Sequence, residues 1–302
     1  MLIIGGDIGH TNTKTCIGLK QTDLDIFRSS VGEVNEDILN KRKDIIITYK
    51  KQDYAIGTNY GDYSVEDDKS KDEIFKLCLF TAVSRVMKNN RIENVSLVTG
   101  LPINYYKKYR NALIESLEGE TIRIQYLKQE KIMNFANVKP YPESAGIVIL
   151  EKDKFRGPRI IIDIGGSTVD VSYFEGTSLI KATSYDLGMQ KVYSKIAKYI
   201  NEQYGTDYNV QAAERIVKSK NIVANDNEIE FDSTRYLNAH ASEVLRRVKL
   251  DFPWKTSLKT FIGGGSVELK DFLPNGHKIT YDNVFTNAKA FYWIGVGKYG
   301  KC

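Results

Sequence analysis

Cysteine, proline and histidine are all scarce in this chain: 302 residues include 3 Cys, 6 Pro and 3 His. Cys16, Cys78 and Cys302 are odd in number and far apart, which excludes a disulfide framework and a thiolate metal site. They read as buried or incidental thiols. His10, His240 and His277 share no metal-ligand spacing, and only His10 falls in a candidate loop. With so little proline, no linker or low-complexity tract is visible, and no short repeat is present. No stretch approaches the roughly 18 apolar residues of a membrane span. The first residues, Met1 to Gly6, have no basic segment ahead of their apolar run, so the expectation is a cytoplasmic protein with no membrane partner. Charge of one sign is also lacking. The net charge is +5, and the clusters Lys41-Arg42-Lys43 and Arg246-Arg247 are short enough to read as solvated surface, so direct nucleic-acid binding is not expected.

What is present is a globular composition, 42% hydrophobic and 27% charged, on a chain long enough for two domains. Asp-Ile-Gly occurs twice, at Asp7-Ile8-Gly9 and at Asp163-Ile164-Gly165-Gly166. Each copy ends an apolar run, Leu2-Ile3-Ile4 or Ile160-Ile161-Ile162, that reads as a buried strand. Each is followed by a second stretch, Lys14 to Leu19 or Thr168 to Phe174, that reads as the antiparallel return. One such tripeptide is an ordinary tight turn; two in matching contexts argue for a shared purpose. Glycine bends the backbone and leaves N–H groups bare, so a phosphate can lie against the loop. One Asp beside each turn suits a hard cation such as Mg²⁺, which takes oxygen ligands and keeps several waters.

Elsewhere the pattern alternates. Asp44 to Tyr49 and Tyr54 to Ile56 read as strands of a small lobe inserted at about 31–65. Ser70 followed by Glu73 is a capping-box pattern opening a helix to about Asn89. Val95 to Val98 is a short strand entering Thr99-Gly100-Leu101-Pro102, and Tyr105 to Leu117 a helix ended by Gly119. Lys139-Pro140-Tyr141-Pro142-Glu143-Ser144-Ala145-Gly146, with Pro142 as a natural helix starter, precedes an apolar helix, Ile147 to Leu150. Gly188 to Gln203, Asn209 to Lys220 and Ser233 to Leu250 read as helices. Thr260-Phe261-Ile262 is a strand broken by Gly263-Gly264-Gly265, with Ser266 as cap of a following helix to about Phe272; Asn287 to Gly297 is a last helix. Strands alternating with helices favour an α/β fold. The P-loop signature and the Gly-x-Gly-x-x-Gly fingerprint are absent.

Taken in order, these motifs resemble the actin-like ATPases, and with Thr99-Gly100-Leu101-Pro102 and the short length, the ParM-like plasmid-segregation actins. Asp7 to Lys14 looks like the first phosphate loop and Tyr141 to Ala145 like the first connecting helix. Asp163 to Asp170 resembles the second phosphate loop, Phe261 to Glu268 the adenosine loop, and Asn287 to Gly295 the second connecting segment. The resemblance implies an actin-like (ribonuclease H-like) α/β fold, duplicated into two domains with a nucleotide cleft between them. It implies domain I at 1–159, domain II at 160–285 with a helical subdomain at about 189–257, and a C-terminal helix, 286–302, returning to domain I.

Residue by residue, the resemblance implies that Asp7 and Asp163 approach Mg²⁺ through its waters, and that Asn12 and Lys14, with Gly9 and Thr11 of the same loop, hold the β-phosphate side. Gly165, Gly166, Ser167 and Thr168 would cradle the γ-phosphate. Glu143 would orient the attacking water, or else be a first-turn acid favoured by a helix dipole. Asp170 would lie near that water, or face solvent. Gly263, Gly264, Gly265 and Ser266 would admit the nucleoside. Gly188, Glu214 and Arg215 resemble ribose and base contacts, although Glu214 and Arg215 also read as an exposed helical charge pair. His10 departs from the small residue usual in relatives, and its imidazole can change charge near neutral pH.

The function so implied is a filament-forming ATPase using Mg-ATP, or GTP, with hydrolysis as the timer of a head-to-tail polymer. Its partners would be other copies of itself and a DNA-binding adaptor at a plasmid centromere. Two alternatives use the same clamp: a monomeric nucleotide-gated binding module and a small-molecule kinase.

Overall fold

The computed structural model describes residues 1–34, 45–64, 66–88, 90–151, 156–274 and 283–300. The cluster Lys41-Arg42-Lys43, His277, Cys302, Val65 at the expected end of the inserted lobe and Asn89 at the expected end of the first helix lie outside them. The chain forms two compact units, Met1–Arg156 with Val284–Cys302, and Gly157–Asn283.

The first unit opens with β1 (Leu2–Ile8), β2 (Asn12–Cys16), β3 (Leu24–Arg28), β4 (Ser30–Glu33), β5 (Ile45–Tyr49), β6 (Gln52–Ile56) and β7 (Asp62–Tyr63). It continues with α1 (Glu73–Val86), β8 (Ile92–Leu101), α2 (Ile103–Glu115), β9 (Thr121–Tyr126), β10 (Gln129–Pro142) and α3 (Ile147–Leu150). Its strands form one sheet in the order β3-β2-β1-β8-β10-β9-β5-β6-β4-β7. β1, β8 and β10 run parallel at its centre, so their C-terminal ends share one edge, the edge at which open α/β sheets bind ligands. β1 is covered on both faces, which explains its unbroken apolar run. Ile4 and Ile8 join the core beneath α1. On the other face, a Cβ on Gly5 would lie 2.1 Å from the Ala288 carbonyl of the last helix, so only glycine permits that approach.

The second unit contains β11 (Pro158–Ile164), β12 (Val169–Glu175), β13 (Ser178–Tyr185), α4 (Met189–Tyr204), α5 (Val210–Ser219), β14 (Asn221–Ala224) and β15 (Asn227–Glu230). α6 (Thr234–Asp251), β16 (Leu258–Ile262) and α7 (Gly264–Glu268) complete it, and α8 (Thr286–Tyr299) belongs to the first unit. Its sheet runs β13-β12-β11-β16, with β11 antiparallel to β12 and parallel to β16. The set β3-β2-β1-β8 of the first unit has the same order and directions.

Three local expectations need correction. The cap of α1 is Asp72, whose Oδ1 accepts the Phe75 N–H at 3.0 Å; Ser70 instead donates to Asp68 at 2.6 Å in the preceding turn. The apolar helix forms at Ile147 to Leu150 as expected, but Pro142 does not start it. The proline pairs with Leu101 as the last residue of β10, and Glu143 to Gly146 form a turn, with Ser144 at φ 64, before α3 begins. Likewise Ser266 sits inside α7, donating to the carbonyl of Gly263, which is the actual N-cap at φ 85.

Candidate functional site

In the first unit the chain leaves β1 at Ile8, turns through Gly9, His10 and Thr11, and returns in β2. The Gly9 N–H donates to the Asn12 carbonyl at 3.2 Å, closing the turn. Strand register sets Asp7 opposite Lys14, whose Nζ donates to Asp7 Oδ2 at 2.9 Å. Asp7 is only 6% exposed, so this lysine supplies fixed positive charge beside a buried acid. A Cβ on Gly9 would come within 3.1 Å of the Asn12 carbonyl, and glycine keeps the turn tight. Thr11 Oγ1 is buried with no hydrogen-bond partner, a polar group that a ligand oxygen or a water would satisfy. His10 is anchored on its Nδ1 side by the Ser64 carbonyl at 3.0 Å.

Glu143 follows β10 at the same sheet edge, and its N–H donates to the Leu101 carbonyl at 2.9 Å. It therefore stands ahead of α3, outside any helical first turn, and the dipole reading of this acid loses its basis. A Cβ on Gly100 would lie 2.8 Å from Glu143 Cγ, so the glycine of Thr99-Gly100-Leu101-Pro102 makes room for the acid. Glu143 Oε1 accepts from Lys69 Nζ at 3.2 Å, and Lys69 is 4% exposed. Sequence reasoning did not single out Lys69; the lysine precedes α1 and carries no motif.

In the second unit β11 ends at Ile164 and the chain turns through Gly165, Gly166, Ser167 and Thr168 into β12. The Gly165 N–H donates to the Thr168 carbonyl at 2.9 Å, the counterpart of the Gly9 bond. Register here sets Asp163 opposite Asp170, at 6% and 3% exposure. Asp170 is thus buried, which corrects the solvent-facing alternative; Thr168 Oγ1 donates to its Oδ2 at 2.8 Å.

The second turn is braced from two sides. Gly188 caps α4, and its N–H donates to the Ser167 carbonyl at 3.0 Å, followed by Met189 to Gly165 at 3.0 Å and Gln190 to Gly166 at 2.9 Å. A Cβ at Gly188 would lie 2.3 Å from the Gly166 carbonyl. On the other side a Cβ at Gly263 would lie 2.3 Å from Asp163 Oδ1, and one at Gly265 2.4 Å from Ile164 Cγ2. Gly264 differs: a Cβ there meets nothing within 4 Å. Loop, α4 and the glycine run are packed backbone to backbone, so the N–H groups of Gly166 and Ser167 are held in place.

Glu214 is buried and bonded to Lys218, one turn along α5, while Arg215 is exposed. An exposed Glu214–Arg215 pair is therefore not what forms. Close by, Tyr193 donates to Glu268 Oε2 at 2.6 Å. Burial raises the Glu268 carboxyl above its usual range, against the Tyr193 hydrogen bond and Lys218, which lower it, and with Glu214, which raises it. Tyr193, Lys218 and Glu268 form a polar cluster that the sequence placed on three separate helices and left unconnected. Among the described residues both thiols are buried, which pushes Cys78 up to about 12 and raises Cys16 as well.

Comparison with known families matches these halves separately. Residues 5–146 match the actin-like proteins, N-terminal domain, and residues 161–275 match the archaeal actin homologue MreB-like, C-terminal domain. The chain belongs to the actin-like proteins. Solved structures agree on the actin-like fold. A non-polymerisable quadruple mutant of pCBH ParM superposes with a TM-score of 0.84 at 18% identity, covering 98% of this chain and 99% of that one. The ParM of a 15-stranded filament from Clostridium botulinum gives 0.81 at 19%, with coverage of 98% and 99%. An archaeal actin homolog in complex with ADP gives 0.80 at 15%, with coverage of 97% and 99%. At such identities the likeness establishes the fold alone. A search of curated proteins returns no match.

Within this actin-like chain the structure gathers Asp7, Gly9, Thr11, Asn12, Lys14 and Glu143 at one strand edge of the first unit. In the second unit it gathers Asp163, Gly165, Gly166, Ser167, Thr168, Asp170, Gly188, Gly263, Gly265 and Ser266. Among the described residues no helix is long and apolar enough to cross a membrane.

Proposed function

We propose that this actin-like protein is an Mg-ATP hydrolase, with GTP as the other candidate nucleotide, whose two hairpins close on one triphosphate and whose turnover times the life of a head-to-tail filament. The observation that carries this reading is the pair of matched turns, each with a buried aspartate at a strand end. The residues fit a metal-nucleotide. Thr11 offers an unsatisfied buried hydroxyl, Lys14 a positive charge, and Asp163 and Asp170 two facing carboxylates, oxygen donors of the kind a hard cation takes. When bound, Mg²⁺ would neutralise charge on the phosphate oxygens.

The protein's own part is positioning and electrostatics. Asn12 and Lys14 hold the β-phosphate side, and the N–H groups of Gly166, Ser167 and Thr168, with the Ser167 hydroxyl, face the γ-phosphate, while the Thr168 hydroxyl holds Asp170. Asp7 and Asp163 would hold the cation, through its waters. Glu143, as a carboxylate held at the strand edge, orients the attacking water and accepts its proton, with Asp170 beside it. Gly188 and Gly263 to Ser266 admit the nucleoside, and Glu214 and Arg215 border it.

A head-to-tail contact joins unlike surfaces and does not close, so it propagates as an open polymer. The ParM filament and the ADP-bound archaeal homolog support assembly and nucleotide use for this chain. We extend the reading to plasmid segregation, in the cytoplasm, through a DNA-binding adaptor.

The test is phosphate release and light scattering with Mg-ATP or Mg-GTP over a range of protein concentrations. Concentration-dependent assembly with hydrolysis is expected. Nucleotide binding without assembly would leave a monomeric gated module, and phosphate transfer to a metabolite a kinase. Glu143→Ala is expected to keep nucleotide binding within about threefold, slow turnover by about 10² and lengthen filament lifetime. Unchanged turnover would remove Glu143 from catalysis.

A further inference from the structure

Lys69 is a buried lysine that no motif explains. Its Nζ donates to the Ile8 carbonyl at 3.0 Å, to the Gly100 carbonyl at 3.0 Å and to Glu143 Oε1 at 3.2 Å. Those acceptors sit at the C-terminal ends of β1 and β8 and just past the end of β10, the three parallel central strands. Ile8 adjoins Gly9 of the first phosphate turn; Gly100 is the residue whose missing Cβ accommodates Glu143.

An ammonium group has three N–H donors, and all three are used. Lys69 therefore has no donor left for a phosphate oxygen, which separates it from Lys14 on the same edge. Carrying a buried charge is costly unless it is paired and hydrogen-bonded, and here every bond goes to a strand end that bears the site. The ring of Phe75, from the first turn of α1, lies 5.5 Å from Nζ and closes it off further. A purely structural tie between strand ends would be served by a neutral donor, whereas this one spends its charge on a single carboxylate, Glu143.

We infer that Lys69 is a positioning residue: it fixes the Glu143 carboxylate against the Gly100 backbone and in register with the Gly9 turn, so that the acid meets the water attacking the bound triphosphate. This rests on the hydrolase reading above. It adds that the geometry of Glu143 is set from a residue before α1.

Lys69→Met removes charge and donors while keeping an unbranched side chain of similar length. Displacement of a fluorescent nucleotide and steady-state phosphate release are then compared with wild type. Expected are a nucleotide Kd within about threefold and a kcat lower by about 10², the cost of a misplaced catalytic group. The double variant Lys69→Met with Glu143→Gln is expected to be no slower than Glu143→Gln alone, because both act on one step. A kcat within twofold of wild type, losses in Kd and kcat of equal size, or multiplied losses in the double variant would each overturn the inference.

If wild type itself hydrolyses nothing, the hydrolase reading fails and a crystallographic arm still decides the positioning. In Lys69→Met the Glu143 carboxylate is expected to leave Gly100, and an unmoved Glu143 would refute the tie. Should Lys69→Met not fold, Lys69→Gln, which keeps donors but no charge, carries the same readouts.

Discussion

The two acidic hairpins share a backbone and differ in charge. Each closes with one glycine N–H to a carbonyl three residues on, at 3.2 Å from Gly9 and 2.9 Å from Gly165. Each places a second ionisable residue directly across from the aspartate, Lys14 in one and Asp170 in the other. The two units share the turn, while the cross-strand position holds a lysine in one and a second acid in the other. Supporting elements differ as well. The second turn is packed between α4 and the Gly263–Gly265 run, whereas the first is tied down by polar contacts, His10 to Ser64 and Lys69 to Ile8. The first turn also has one backbone brace, the Ser29 N–H donating to the Thr11 carbonyl at 2.9 Å, so the difference is in how many sides are packed by backbone.

The sharpest way to break this comparison is to exchange the charges. Asp163→Ala is expected to abolish Mg-dependent turnover, and Asp170→Lys, which gives the second hairpin the pattern of the first, to lower kcat by about 10³. Phosphate release across a Mg²⁺ titration checks both, and normal metal dependence in Asp163→Ala would count against the clamp. Next in size is a contrast between glycines. Gly188→Ala drives a Cβ into the Gly166 backbone and is expected to cost about 2–3 kcal/mol of stability. Gly264→Ala, in open space, is expected to change stability by less than about 0.5 kcal/mol while weakening nucleotide binding. Urea unfolding and nucleotide titration of both variants separate the packed glycine from the admitting one.

The smallest effect concerns Glu268. Its carboxyl is raised in the folded chain mainly by burial, so folding favours its protonated form. The stability it contributes is present below the ordinary carboxylate range and is lost as pH rises through the folded value. Glu268→Gln is therefore expected to raise Tm modestly at neutral pH, with a gain that vanishes toward acid pH. A gain independent of pH would mean that burial of the charge is not the cause.

Both hairpins were legible in the sequence because apolar runs, acid and glycine recur together, and α4, α5 and α6 because their apolar spacing is regular. The β9–β10 hairpin was not. Its two-residue turn is Leu127-Lys128, both at positive φ, where Asn-Gly would have announced it. Pro142 misled because a proline suits a strand end as well as a helix start, and the parallel pairing with Leu101 that decides between them is non-local. Lys69 and the Tyr193–Glu268 contact are joined only by folding. Glu214 looked exposed because its neighbour Arg215 is, yet its own side of α5 is buried. The actin-like ancestry was carried by motif order, which is a one-dimensional property; the ties between motifs are three-dimensional.

The most direct test of the central claim is a crystal structure with Mg²⁺ and a non-hydrolysable ATP analogue. The account predicts a single triphosphate touched by both the Gly9–Asn12 and the Gly165–Thr168 turns, with the cation's waters on Asp7 and Asp163. A nucleotide held by one turn alone, or bound away from both, would contradict it.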